Sequence, residues 1–189
     1  HTGMQAVAQA SAAYHVSLRY ARERIQGRPF GSAPDTPAQP IVGHADVRNM
    51  LLQQKAYVEG VYALLAYCAH LGDRARTAES PEERERLLGM LGVLTPVCKA
   101  YGSDISFESI RLAIQVLGGA GFTEDFPIAQ MLRDNKVFSI YEGANGIQAQ
   151  DLLGRRIVKN NGADFAAVLG AIGAAVEEAK AIESLAADA

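Results

Sequence analysis

Apolar residues recur along this chain at intervals of three and four, the period that lines up one stripe of an α-helix. From Met4 to Arg24 the stripe reads Met4, Val7, Ser11, Tyr14, Leu18, Ala21 and Ile25. Arg19, Arg22 and Arg24 crowd the end, where cations suit the helix dipole, and Gly27, Pro29 and Gly31 stop it. Residues 26 to 43 carry Pro29, Pro34, Pro37 and Pro40 and read as an irregular connection. A second helix is predicted over His44–Gly72, with its seam at Val47, Leu51, Gln54, Val58, Val61, Leu65, Cys68 and Leu71. Gly60 lies within that pattern at a cost of about 1 kcal/mol relative to alanine, which a close helix–helix approach would offset. The polar run Asp73–Ser80 reads as a loop.

Ser80-Pro81-Glu82-Glu83 is a helix start: serine as cap, proline in the first turn, Glu83 placed to complete a capping box. Leu87, Leu91 and Leu94 follow, and Thr95-Pro96 either starts a new helix or kinks a continuous one. Val97, Tyr101, Ile105, Leu112 and Val116 continue the face to Leu117, where Gly118, Gly119 and Gly121 end it. A shorter element is predicted around Pro127–Arg133, a helix over Ile147–Lys159, a break at Asn160-Asn161-Gly162, and a last helix marked by Phe165, Leu169, Ile172, Val176, Ala179 and Ile182 that runs to the end of the chain. No stretch alternates as a strand does. The pattern predicts an all-α protein, an antiparallel up-and-down four-helix bundle over residues 1–160 with an extra C-terminal helix over 161–189.

With 189 residues, of which 49% are hydrophobic, the chain is long enough for a real core. Its net charge of −3 supplies no basic field, which argues against nucleic acid as a partner. Cys68 and Cys98 sit in apolar helical stretches and read as buried thiols. The start shows no export signal and no apolar run is long enough to span a bilayer, so a cytoplasmic location is expected. The first helical pattern opens without a lead-in, which reads as a piece of something larger.

Two glycine-bearing segments are the candidate chemistry. Leu117-Gly118-Gly119-Ala120-Gly121-Phe122 follows a helix rather than a strand and lacks the last glycine of a dinucleotide fingerprint. It reads as a helix C-terminus whose bare N–H groups could also approach a phosphate-bearing cofactor. In Tyr141-Glu142-Gly143-Ala144-Asn145-Gly146, a carboxylate stands between an aromatic and a glycine. It is either an ordinary surface glutamate in a turn or a general base whose apolar surroundings tune its proton affinity. Arg133-Asp134 and Arg155-Arg156 read as ion pairs or surface charges, and the dispersed histidines give no metal-binding spacing.

Taken together, Gln115-Val116-Leu117-Gly118-Gly119-Ala120-Gly121-Phe122, Pro127, Arg133-Asp134-Asn135-Lys136 and Ile140-Tyr141-Glu142-Gly143, continuing to Gln148, resemble the signature of acyl-CoA dehydrogenases in order and in spacing. Tyr20-Ala21-Arg22-Glu23-Arg24-Ile25-Gln26-Gly27-Arg28 is similar to that family's arginine-containing turn after the first bundle helix. The resemblance covers roughly residues 3–160. It implies the C-terminal helical bundle of a longer enzyme whose N-terminal helical and middle β-domains lie outside this chain. The Pro-rich loop, the long second helix and the helix after Gly162 resemble a larger bacterial subgroup with a C-terminal extension.

The resemblance implies FAD-dependent oxidation of an acyl-CoA thioester, with electron-transfer flavoprotein as acceptor and a homo-oligomer, dimer or tetramer, as the assembly. Glu142 matches the family's base, and Tyr141 and Gly143 match positions lining the acyl chain. Arg24 and Gln26 match the turn that meets the cofactor diphosphate across a subunit interface, and Gln115 and Gly119 match the element near the adenosine part. Many relatives have threonine where this chain has Ala144, so one hydroxyl contact to cofactor is lost or replaced. The alternatives are an acyl-CoA oxidase with the same base and a non-catalytic helical interaction module.

Overall fold

A computed structural model describes residues 1–182. The elements are α1 (Thr2–Glu23), α2 (Ala45–Thr77), α3 (Pro81–Leu117), α4 (Gly119–Phe122), α5 (Ile128–Lys136), α6 (Asn145–Asp151) and α7 (Ala163–Lys180), with short 3-10 turns at Ile41–Gly43, Val137–Ser139 and Lys159–Gly162. No strand occurs among the described residues, so the all-α expectation is met. None of their helices is long and apolar enough to cross a membrane. The expected run of the last helix to the chain end falls partly on residues 183–189, outside the described residues.

Several elements differ from the sequence expectation for local reasons. The predicted loop Asp73–Ser80 is still helix to Thr77, because its charges serve the helix: Arg76 pairs with Asp73, and Arg74 and Arg76 sit in the last turn where the dipole favours them. Ser80 caps α3 as expected, accepting the Glu83 N–H at 3.1 Å, but the Glu83 carboxylate pairs at 2.8 Å with Arg74 across the turn. Pro96 lies inside a continuous α3. The helix predicted over Ile147–Lys159 begins at Asn145, leaves α geometry after Asp151 and passes through a π turn at Leu152–Arg156, with Ile157 N–H bonded to Leu152 at 3.0 Å. Arg156 and Arg155 both pair with Asp151 there, at 2.8 and 3.7 Å.

The residues divide into two compact units. Unit 1 holds His1–Leu65 and Cys98–Asn145. Its core joins Val7, Ala10, Ala13 and Ala21 of α1, Met50, Leu51, Val58 and Val61 of α2, Ile110, Ala113 and Val116 of α3 and Ile128 of α5. The α2 seam is as predicted. Val7 and Ala21 of the predicted α1 face are buried, but the face is turned by about one residue elsewhere: Gly3, Ala6, Ala10, Ala13 and Ser17 are buried, while Met4 and Ile25 are 45% and 60% exposed. Small side chains bring α1 close to its neighbours, and a Cβ at Gly3 would lie 2.5 Å from the Cys98 carbonyl oxygen. Gly60, where a close approach was expected, is exposed with nothing within 4 Å of a Cβ. The tight contact therefore belongs to Gly3 and to Gly102, whose Cβ would meet the Gly3 Cα at 3.5 Å.

Unit 2 holds Ala66–Val97 and the described residues from Gly146 onward, with a core of Leu71, Ala75, Leu87, Met90, Val93 and Val168. Here α2 and α3 meet through a three-residue turn, 78–80, that makes them antiparallel. The α7 face is also displaced: Asp164 and Val168 are buried, and Leu169 and Ile172 are about half exposed. Asp164 fits because residue 89 is glycine, whose Cβ would stand 2.3 Å from its carboxylate, and Asn160 donates to it at 3.1 Å.

Candidate functional site

Leu117–Phe122 and the Glu142 loop as far as Asn145 lie in unit 1. After α1 the chain runs beside residues 39–41 in a short antiparallel bridge: Gln26 N–H to Gln39 at 3.0 Å, Gln39 N–H to Gly27 at 2.9 Å, Ile41 N–H to Arg24 at 2.8 Å. Gly27 takes φ +71, and a side chain there would also press on the His44 ring. The His44 Nε2 in turn lies 2.8 Å from the Gln26 carbonyl oxygen. The Arg24–Gln26 turn is thus held rigidly.

At the other end of α3, Gly118 N–H bonds to Ile114 at 2.9 Å, and its φ +60 with ψ −137 ends the helix in a conformation that favours glycine. Gly121 must be small, since a Cβ would lie 2.9 Å from the Ile114 oxygen. Gly119 is constrained by neither: its φ is ordinary and a Cβ meets nothing within 4 Å. These two sequence-distant pieces line one open cavity of about 390 Å³, with Tyr20, Arg24, Gln26, His44, Gln115 and Gly118 among its walls. The cavity offers a guanidinium, amides, an imidazole and bare backbone, donors of the kind that meet a cofactor diphosphate and its sugar, beside one carboxylate, Asp46. A second cavity, about 460 Å³, lies in unit 2 around Ser80, Arg84, Gly89 and Asn160 and contains none of the motif residues.

The Glu142 loop follows α5. Ile140 and Tyr141 N–H both reach back to the Val137 oxygen, at 2.9 and 3.1 Å. The Tyr141 hydroxyl donates to Gln5 Oε1 of α1 at 2.6 Å, and its ring lies 5.8 Å from that of Phe138. Glu142 and Gly143 then take φ +55 and +81 in succession. Left-handed backbone is natural for glycine and costs about 1–2 kcal/mol for most other residues. Asn160 and Asn161, the other non-glycine residues there among the described residues, belong to the type that adopts it most readily, and glutamate does not. Glu142 is exposed, so the apolar enclosure expected around a general base is not completed by this chain.

Sequence reasoning missed what lies under this loop. Lys99, on α3, is only 7% exposed, and its ammonium donates to Asn145 Oδ1 at 2.8 Å. Asn145 Nδ2 faces Asp104 Oδ1 at 2.8 Å, Ser103 Oγ at 3.0 Å and the Ala100 oxygen at 3.2 Å. Burial pushes the Lys99 ammonium below its ordinary 10.5, against the pull of Asp104 and then of Glu142. The signal was present in the register: Pro96, Lys99, Ser103, Ser106, Ile110, Ala113 and Leu117 form the buried stripe of α3, whereas Tyr101 of the predicted face is 51% exposed. Polar residues inside the stripe hid it from a search for hydrophobic period.

An all-α unit that pairs a motif-lined cavity with a carboxylate on a strained loop has the makings of a cofactor-dependent enzyme domain. The family described as acyl-CoA dehydrogenase, C-terminal domain, matches residues 1–158, and this chain belongs to it. It is 38% identical over 173 residues to a butyryl-CoA dehydrogenase of Syntrophomonas wolfei, covering 92% of this chain and 28% of that protein. It is 40% identical over 174 residues to a broad-specificity linear acyl-CoA dehydrogenase of Mycobacterium tuberculosis, covering 90% and 28%. Among solved structures, butyryl-CoA dehydrogenase of Megasphaera elsdenii superposes with a TM-score of 0.62 at 25% identity, over 81% of this chain and 34% of that one. The chain thus spans under a third of the length of these curated relatives.

Proposed function

We propose that this chain supplies the catalytic base and part of the cofactor cradle of an FAD-dependent acyl-CoA dehydrogenase, which converts an acyl-CoA thioester to the trans-2-enoyl-CoA. Glu142 takes the α proton, which the thioester carbonyl acidifies. Bound FAD supplies the hydride acceptor for the β hydrogen. Arg24 and Gln26 hold the cofactor diphosphate across a subunit interface of a homo-oligomer. Gln115 and Gly119 approach the adenosine part. Tyr141, pinned by Gln5, and Gly143 line the acyl chain. Electron-transfer flavoprotein is the acceptor and the cytoplasm the location.

The observation that carries this reading is the backbone of Glu142. A glutamate at φ +55 followed by glycine at φ +81 is a costly way to make a surface turn, and such cost is concentrated where a side chain must be aimed. In an enzyme of the relatives' full length, Glu142→Gln lowers kcat by about 10²–10⁴ with flavin content unchanged. Turnover within a few-fold of wild type in that variant refutes the assignment.

A further inference from the structure

The geometry points to Lys99 as a positioning residue for the base: acting through Asn145, it fixes the loop on which Glu142 stands. The inference rests on the reading of Glu142 as base and adds the element that aims it. Upstream, the loop is tied by the Ile140 and Tyr141 N–H bonds to Val137 and by the Tyr141–Gln5 contact. Between the ties lie the left-handed residues Glu142 and Gly143. Downstream, the anchor is the Asn145 side chain, three residues after the base. Its oxygen accepts from Lys99 at 2.8 Å, and its amide is met by Ser103, Asp104 and the Ala100 oxygen within 3.2 Å. All four are consecutive-turn neighbours on α3, Lys99 and Ser103 buried and Asp104 exposed, so the loop is tied to one face of a long helix.

Lys99 is an expensive choice for a purely structural tie. A neutral donor would hold Asn145 without placing a cation where it is 7% exposed, and burial outweighs the compensating acids in setting its proton affinity. Of the two acids that favour the charged form of this ammonium, Asp104 comes first and Glu142 second. Helix, amide and ammonium together hold the downstream end of the loop on which the base stands.

In the full-length flavoenzyme, Lys99→Met keeps the volume and removes the charge, and Asn145→Ala removes the relay while keeping Lys99. Each lowers kcat about 10–100-fold, the scale of a misplaced reacting group, with KM and flavin content within about threefold of wild type. Because the two act through one contact, the double variant is no slower than the slower single. Asn145 is half-buried at the surface, so its variant keeps the test readable should Lys99→Met fail to fold. Wild-type kcat in either single variant, or losses that multiply in the double, overturns the proposal while leaving Glu142 as base if Glu142→Gln remains inactive. Full turnover in Glu142→Gln removes the base, and this inference with it.

Discussion

Two glycines in unit 1 make opposite predictions when replaced by alanine, and the pair tests the packing that carries the site. Gly60 is exposed in the interior of α2 and a Cβ there meets nothing within 4 Å. The change removes only the helix penalty of glycine, so Gly60→Ala stabilises by about 1 kcal/mol. At Gly3 the same Cβ would stand 2.5 Å from the Cys98 carbonyl oxygen and 3.4 Å from Leu65 Cδ2. An ordinary carbon–oxygen contact needs close to 1 Å more. The nearest atom is helix backbone, so α1 and α3 must part, at a cost of about 1–3 kcal/mol typical of overpacking. Both sites lie in unit 1, so urea unfolding followed by far-UV circular dichroism reads them in the same transition. The midpoint rises for Gly60→Ala and falls for Gly3→Ala at unchanged slope. A rise for Gly3→Ala, or a fall for Gly60→Ala, refutes the account of where the helices touch.

Two other outcomes follow from the cavity and from Lys99. Arg24→Ala weakens FAD retention about 10–100-fold, the worth of one charge-assisted contact, measured by titrating FAD into the full-length apoprotein; unchanged affinity removes Arg24 from the cofactor site. The Lys99 proton affinity is lowered on folding, so between that lowered value and 10.5 the unfolded chain binds more protons. Stability owed to Lys99 therefore rises with pH through that window and levels off above it. Unfolding free energies of wild type minus Lys99→Met, measured across the alkaline range, show that rise; a difference that falls with pH shows the ammonium to be favoured by folding.

The helices were legible in the sequence wherever their signals were local. Ser80 caps as its type demands, Gly118 ends α3 at a positive φ that favours glycine, and the α2 seam falls where Leu51, Val58, Val61 and Leu71 place it. Misreadings cluster where the core is built from small or polar residues. Besides Val7 and Ala21, the buried face of α1 holds Gly3, Ala6, Ala10, Ala13 and Ser17, which a search for large apolar residues passes by in favour of Met4 and Ile25. Asp73–Arg76 looked like loop because polarity was read as solvent exposure, although i,i+3 pairing makes such residues good helix ends. The cavity residues Arg24, Gln26 and Gln115 came from the resemblance, and their meeting in one cavity depends on the Gly27–Gln39 bridge, a contact across the Pro-rich segment that no local pattern announces.

The same polar stripe that obscured the register of α3 explains why the fold and the candidate site cannot be tuned independently. A helix with leucine at positions 99, 103 and 106 would pack unit 1 with less electrostatic cost, since buried charges and hydroxyls are rarely better than well-fitted apolar groups for stability alone. Ser106 and Ser109 have buried hydroxyls with no hydrogen-bond partner, which adds to that cost. But leucine at 99 and 103 would leave Asn145 with only Ala100 and Asp104 to meet it, and the loop would be held chiefly from its Tyr141 end. With that anchor weakened, any relaxation of Glu142 from φ +55 would recover about 1–2 kcal/mol of backbone strain. The lysine and serine act as the counterweight to that relaxation, and the helix gives up stability at the one stretch where the loop must not move.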